Sequence, residues 1–240
     1  MKTSRRTFLT STVLSGTALG AGTLISGSLV QPLFGEQQKT AAPSKPKEEE
    51  PKEEDVSANE DLMREHGVLN RILLIYDEAH RRIVAKEKFD LEIVGKAAGM
   101  ITRFIEDYHE KLEEKYIFPR FEQARQLTEL TVNLRAQHAI GRRVTERIAA
   151  SVKAKDLPSM STALAAFIRM YRPHEAREDT VLFPALHKIV SPHEYDAMGE
   201  QFESIERKTF GGDGFDMAVD QVTELEKQFG IYDLSQFTPE

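Results

Sequence analysis

The sequence predicts an all-α protein, an up-down-up-down four-helix bundle with a short C-terminal helical extension. Three observations carry this expectation. Apolar residues recur at helical spacing over four long stretches, the connections between those stretches are short, and no run alternates apolar with polar residues for the length of a strand.

Composition narrows the chemistry before any motif is read. The chain has 240 residues, 40% of them hydrophobic, enough for the core of one domain once its two ends are set aside. A net charge of −7 argues against a nucleic-acid partner, because phosphates demand clustered Lys and Arg. The absence of cysteine removes disulfides, thiolate metal sites, Fe–S clusters and Cys nucleophiles together. Any metal must then be held by carboxylates and by the seven histidines.

Residues 1–35 read as a targeting segment. Arg5 and Arg6 in "SRRTFLTS", followed by Phe8 and Leu9 and a weakly apolar stretch rich in Gly, Ser and Thr, resemble a twin-arginine export signal. Thr10 stands where such signals often carry Lys. The resemblance implies a periplasmic or cell-envelope protein, exported folded with its cofactor in place. No A-x-A cleavage site is evident, so an uncleaved signal would leave the chain anchored at the membrane by its N terminus. Residues 36–57 are Pro, Glu and Lys with almost nothing to bury, and read as a disordered linker.

The folded body is expected over 58–190. Its first helix runs from about Asn59 to Lys86, with Leu62, Leu69, Leu73, Tyr76 and Ile83 on one face, and the second from about Asp90 to Tyr116. Pro119 predicts that the second helix stops or bends there. The third covers roughly Thr128 to Lys153 and the fourth roughly Ser159 to Ile189, with Pro158 at its start. Beyond, over 191–240, "GGDG" separates two short amphipathic helices expected to pack across the bundle.

The chain also repeats itself. "LMREHGVLNRI" (62–72) matches "LRAQHAIGRRV" (134–144), and "HEKLEEKYIFP" (109–119) matches "HEAREDTVLFP" (174–184). Each helical hairpin is one unit, used twice. At about 1.5 Å per residue, His66 and His109 lie equally far from the turn between them, and the same count relates His109 to His138 and His138 to His174. All four therefore fall in one layer, and Glu113 and Glu178, each four residues after a histidine, share its face one turn away. Four imidazoles and two carboxylates converging in a cysteine-free bundle suit two transition-metal ions, since a carboxylate can bridge them.

On these residues the sequence resembles the hemerythrin-like HHE cation-binding family over about 58–190. The resemblance implies two iron ions, with Mn or Zn the alternatives, held by His66, His109, Glu113, His138, His174 and Glu178. It also implies a small diatomic ligand or peroxide as partner: a binder of O2 or NO, or a di-iron oxidoreductase drawing on an external electron donor. Oxygen carriers of the family place a histidine four residues after the one on the third helix, where this chain has Arg142. The expected roles of Arg142 are a partner on a neighbouring helix, an anion attractor at the mouth of the site, or a surface side chain. Asp179, five after His174, is the alternative to Glu178. Glu110, Glu114 and Glu175 read as solvated or supporting carboxylates, with Glu110 or Glu175 able to accept from a ligand imidazole. Tyr108, Tyr116 and Tyr171 read as packing, and His80, His187 and His193 as lying outside the layer.

Overall fold

The computed structural model describes residues 56–239. The expectations for the export signal and, save its last two residues, for the linker lie outside the described residues. Within them every regular element is helical. The first helix, α1, is Ala58–Ala85, opened by Ser57, whose side chain accepts from the Glu60 N–H. It closes on Lys86 in the left-handed region at φ 58°. The second, α2, spans residues 91–124 and begins under Asp90, which caps Glu92. Then come α3, Thr128–Ala154, and α4, residues 157–186, whose start is capped by Asp156. The C-terminal part supplies α5, Pro192–Phe210, and α6, Gly214–Phe229, followed by a 3₁₀ turn at Leu234–Phe237.

Of the two expectations at Pro119, a stop or a bend, the stop is not realised. The second helix does not stop there, but continues to Ala124. It widens into a π-helix over Glu113–Ile117, where the Phe118 N–H reaches back to the Glu113 carbonyl. The wider turn lets the chain pass a residue that has no N–H to donate. The second copy does the same, with a π-helix over Glu178–Leu182 ahead of Pro184. A further π-helix, Ile101–His109, ends on a site histidine. Each of these departures from α-helix thus begins or ends on a residue of the predicted site.

Helix α1 packs against α2 and α4, and α3 against α2 and α4, so one apolar core runs between them. Tyr76, Phe118, Phe121, Phe167 and Phe183 are fully buried there. Each such side chain contributes about 1.5–3 kcal/mol by leaving water. The helices on either side of "GGDG" cover the outer faces of α1 and α2, with Phe202 buried and Phe210 set against Phe104 and Tyr108. Among the described residues no helix is long and apolar enough to cross a membrane.

Arg71 on α1 ties α6 down, donating through Nε to Glu226 at 3.0 Å and through a terminal nitrogen to Thr223 at 2.8 Å. Glu226 is 5% exposed, and that guanidinium is its ion-pair partner. Arg71→Ala is expected to destabilise the chain by about 2–4 kcal/mol through the unpaired buried carboxylate. Urea unfolding followed by circular dichroism measures it.

Candidate metal centre

Each of the four long helices brings one histidine to the middle of the core. His66 from α1 and His109 from α2 face each other with Nε2 atoms 3.0 Å apart, and His138 from α3 and His174 from α4 do so at 3.1 Å. Glu113 and Glu178 lie between the two pairs. Glu113 Oε2 is 3.6 Å from His109 Nε2 and 3.5 Å from His138 Nε2. Glu178 Oε2 is 3.4 Å from His66 Nε2 and 3.1 Å from His174 Nε2. The structure therefore gathers all six predicted residues, none more than 4% exposed. It divides them into two donor groups, His66–His109–Glu113 and His138–His174–Glu178.

The other ring nitrogen of every imidazole is held by an acceptor from the adjacent helix. His109 Nδ1 lies 2.8 Å from Glu65, His138 Nδ1 3.2 Å from Glu114, His174 Nδ1 2.9 Å from Gln137, and His66 Nδ1 2.7 Å from Asp179. Thus α1 holds the imidazole of α2, α2 that of α3, α3 that of α4, and α4 that of α1. Carboxylate and amide oxygens only accept, so each Nδ1 carries the hydrogen, and a ring without a second proton turns a lone pair inward at Nε2. Two lone pairs at 3.0 Å cannot bond to one another. Phe118 stacks on His138 and Phe183 on His66, with ring centroids 5.5 and 5.7 Å apart, closing the outer faces of those rings.

This arrangement needs positive charge at its centre. Neither oxygen of Glu113 or of Glu178 accepts a hydrogen bond, and burying such carboxylates unpaired costs several kcal/mol each. Without a metal, protons must supply the charge unevenly. Burial, and then the charge of Glu178, push the Glu113 carboxyl well above the usual range. Burial also acts against the charge on Glu178, yet His174 and His66 outweigh it and hold that carboxyl well below its usual range. Likewise burial opposes charge on His66, but Asp179 and Glu178 raise it well above normal, while burial and the charge of His66 depress His109. Cations resolve the same conflict without dividing protons. Two nitrogens bound to one ion at about 2.1 Å lie at most about 4.2 Å apart, and both histidine pairs are within that reach. The residues present fit the metal.

Several supporting residues differ from expectation. Asp179 is no ligand candidate: it orients His66, while Glu178 points inward. Glu114 holds His138, whereas Glu110 and Glu175 form no hydrogen bond to a site imidazole among the described residues. Glu110 accepts from Tyr171 Oη at 2.7 Å and from Arg142 at 2.6 Å, and Glu175 accepts from Asn70. Arg142 takes the first of its expected roles, pairing with Glu110 and, at 2.7 Å, with Glu114 on α2. Tyr171 is therefore more than packing, while Tyr108 and Tyr116 sit among phenylalanines. His80 bonds Ser161, His187 packs against the Tyr195 ring, and neither belongs to a donor group.

Glu65 and Gln137 escaped the sequence reading. The repeat carried the signal, because each immediately precedes a lone histidine at matching positions of the two copies. The acids Glu114 and Asp179 likewise follow Glu113 and Glu178 by one residue.

The described chain is thus a helical protein with a paired histidine and carboxylate site suited to metal ions. A family model described as the hemerythrin HHE cation binding domain matches residues 57–186, and the chain belongs to that family. It is also similar to proteins of Mycobacterium tuberculosis and Mycobacterium bovis, both described as uncharacterized. They are 50% identical over 220 residues, covering 89% of this chain and 83% of each relative. No solved structure matches the chain.

Two tests follow from the packing around the centre. A Cβ at Gly141 would stand 2.1 Å from Tyr171 Oη, so glycine makes room for the hydroxyl that donates to Glu110. Gly141→Ala is expected to cost about 1–3 kcal/mol in thermal unfolding, and adding Tyr171→Phe to recover part of it. Glu106, one turn before Glu110 and buried, has its carboxyl raised by that burial from 4.5 to about 6. The fold thus keeps a proton that the unfolded chain releases. The stabilisation is complete below pH 4.5 and lost as pH rises through 6. Glu106→Gln should therefore match the parent at pH 4 and exceed it by about 1–2 kcal/mol above pH 7, measured by urea unfolding of metal-free chain.

Proposed function

We propose that this chain is an exported non-haem di-iron protein that interacts with O2, NO or peroxide. The proposed ligands are His66, His109, Glu113, His138, His174 and Glu178, on an up-down-up-down four-helix bundle. One observation carries the reading. Two buried carboxylates without hydrogen bonds stand between two pairs of facing imidazole nitrogens. Nitrogen and oxygen donors without sulfur suit iron, and equally admit manganese or zinc, so family membership tips the choice to iron.

The residues have separable roles. The four Nε2 atoms would hold the metal, and the Nδ1 partners keep each ring in its tautomer and orientation. Glu113 and Glu178 reach both histidine pairs and lower the mutual repulsion of two cations. Phe118 and Phe183 keep water from the outer faces of His138 and His66. A pair of iron ions bound there supplies the redox and Lewis-acid chemistry that O2, NO or peroxide requires.

A second reading, a di-iron oxidoreductase reducing peroxide, O2 or NO, is favoured by Arg142. It stands where an oxygen carrier has another histidine and is turned to Glu110 and Glu114, leaving each position two imidazoles. Turnover then draws on an external electron donor. For export to the periplasm or cell envelope, the support is the Arg5–Arg6 pattern of residues 1–35.

Anaerobic purification and iron counting should give two irons per chain. Stopped-flow absorbance with O2, NO and peroxide separates the readings: a stable oxy or nitrosyl adduct marks the binder, catalytic peroxide consumption the enzyme. Replacing Glu113 and Glu178 together by Ala is expected to remove both irons, and retention of both would refute the ligand assignment.

A further inference from the structure

The two halves of the centre repeat in sequence but not in electrostatics. Glu113 and Glu178 reach both histidine pairs, so they do not distinguish the two positions. The difference lies at the Nδ1 atoms. His66 and His109 each face a carboxylate, Asp179 at 2.7 Å and Glu65 at 2.8 Å. Asp179 has no other ion-pair partner among the described residues. At the opposite pair, His174 faces the neutral amide of Gln137. His138 faces a carboxylate, but a more distant one, Glu114 at 3.2 Å, whose charge is shared with Arg142 at 2.7 Å and Lys111 at 2.8 Å.

A carboxylate against Nδ1–H strengthens the donation of the same ring at Nε2, because it offsets the positive charge that metal binding places on the imidazole. An amide does so weakly, and a carboxylate already paired with two cations less than one such as Asp179, which pairs with no cation besides the imidazole among the described residues. Resting on the dinuclear reading above, we propose that the two metal positions are unequal. The position of His66 and His109 fills first and holds its ion more tightly, and that of His138 and His174 is the weaker, exchangeable one. Gln137 and Arg142 are the positioning residues that set the difference, Gln137 through His174 and Arg142 through Glu114 and His138. Arg142 thereby has a role without touching the metal.

The test is anaerobic titration of the metal-free full chain with Co(II), followed by visible absorption and calorimetry against a competing chelator. Two binding steps are expected, separated by about tenfold or more, the scale on which such supporting contacts change metal affinity. His174→Ala should abolish the weaker step and leave the tight one. Gln137→Glu and Arg142→Gln should each strengthen the weaker step alone, Arg142→Lys should keep the parent gap, and Asp179→Asn should weaken the tight step. A merely structural role for Arg142 would move both steps together. Two cobalt ions bound with one affinity, or a gap unchanged in Gln137→Glu, would overturn the inequality. Uptake of no cobalt would instead overturn the dinuclear reading on which it rests.

Discussion

Two carboxyl groups buried side by side in a helical core, with no hydrogen bond to either, constrain most of what surrounds them. Glu113 and Glu178 cannot both stay ionised there unless positive charge lies between them and the four inward imidazoles. That requirement governs the rest. It explains why each imidazole is clamped at Nδ1, since a freely rotating ring could satisfy itself elsewhere and leave the carboxylates stranded. It also explains why the clamps come from adjacent helices, tying each helix to the next through a polar contact inside an apolar core.

The helical backbone adapts to the same constraint. Wherever the repeated His-Glu motif approaches its proline the helix widens into a π-turn, and the stretch leading to His109 is widened as well. Such segments weaken regular hydrogen bonding, so they persist only where the surroundings hold them. Here the phenylalanine before each proline lies against an imidazole of another helix, so one short motif shapes both the backbone and the shielding of the site.

Around this inner set a second polar layer runs from Tyr171 through Glu110 and Arg142 to Glu114 and His138. Gly141 leaves the space for Tyr171, and Arg142, its neighbour in sequence, supplies the cation. Glu110 and Glu114, one turn apart on α2, would otherwise repel each other next to an already acidic centre. Asp179, at the opposite corner, is partly exposed and among the described residues forms an ion pair with His66 only. The two halves of an internally repeated chain have thus diverged in charge while preserving the geometry of the motif.

Much was readable from the chain alone, because helical periodicity and rise per residue are local properties. Counting residues around each turn brought His66, His109, His138 and His174 to one level, and the four-residue spacing put Glu113 and Glu178 on the same faces. The absence of cysteine limited the donor atoms before any coordinate was known. What spacing does not encode is which partner an atom meets across a helix interface. Glu178 and Asp179 are neighbours in sequence and chemically alike, and only the rotation of α4 in its widened turn decides that one faces inward and the other backs His66. The same reason hid Glu65 and Gln137, sent Arg142 to Glu110 and Glu114 rather than to the surface, and carried α2 past Pro119. The sequence determined the donor inventory and its layer. The tertiary structure decided the orientation of each donor, because hydrogen bonds between helices depend on side-chain direction as well as height.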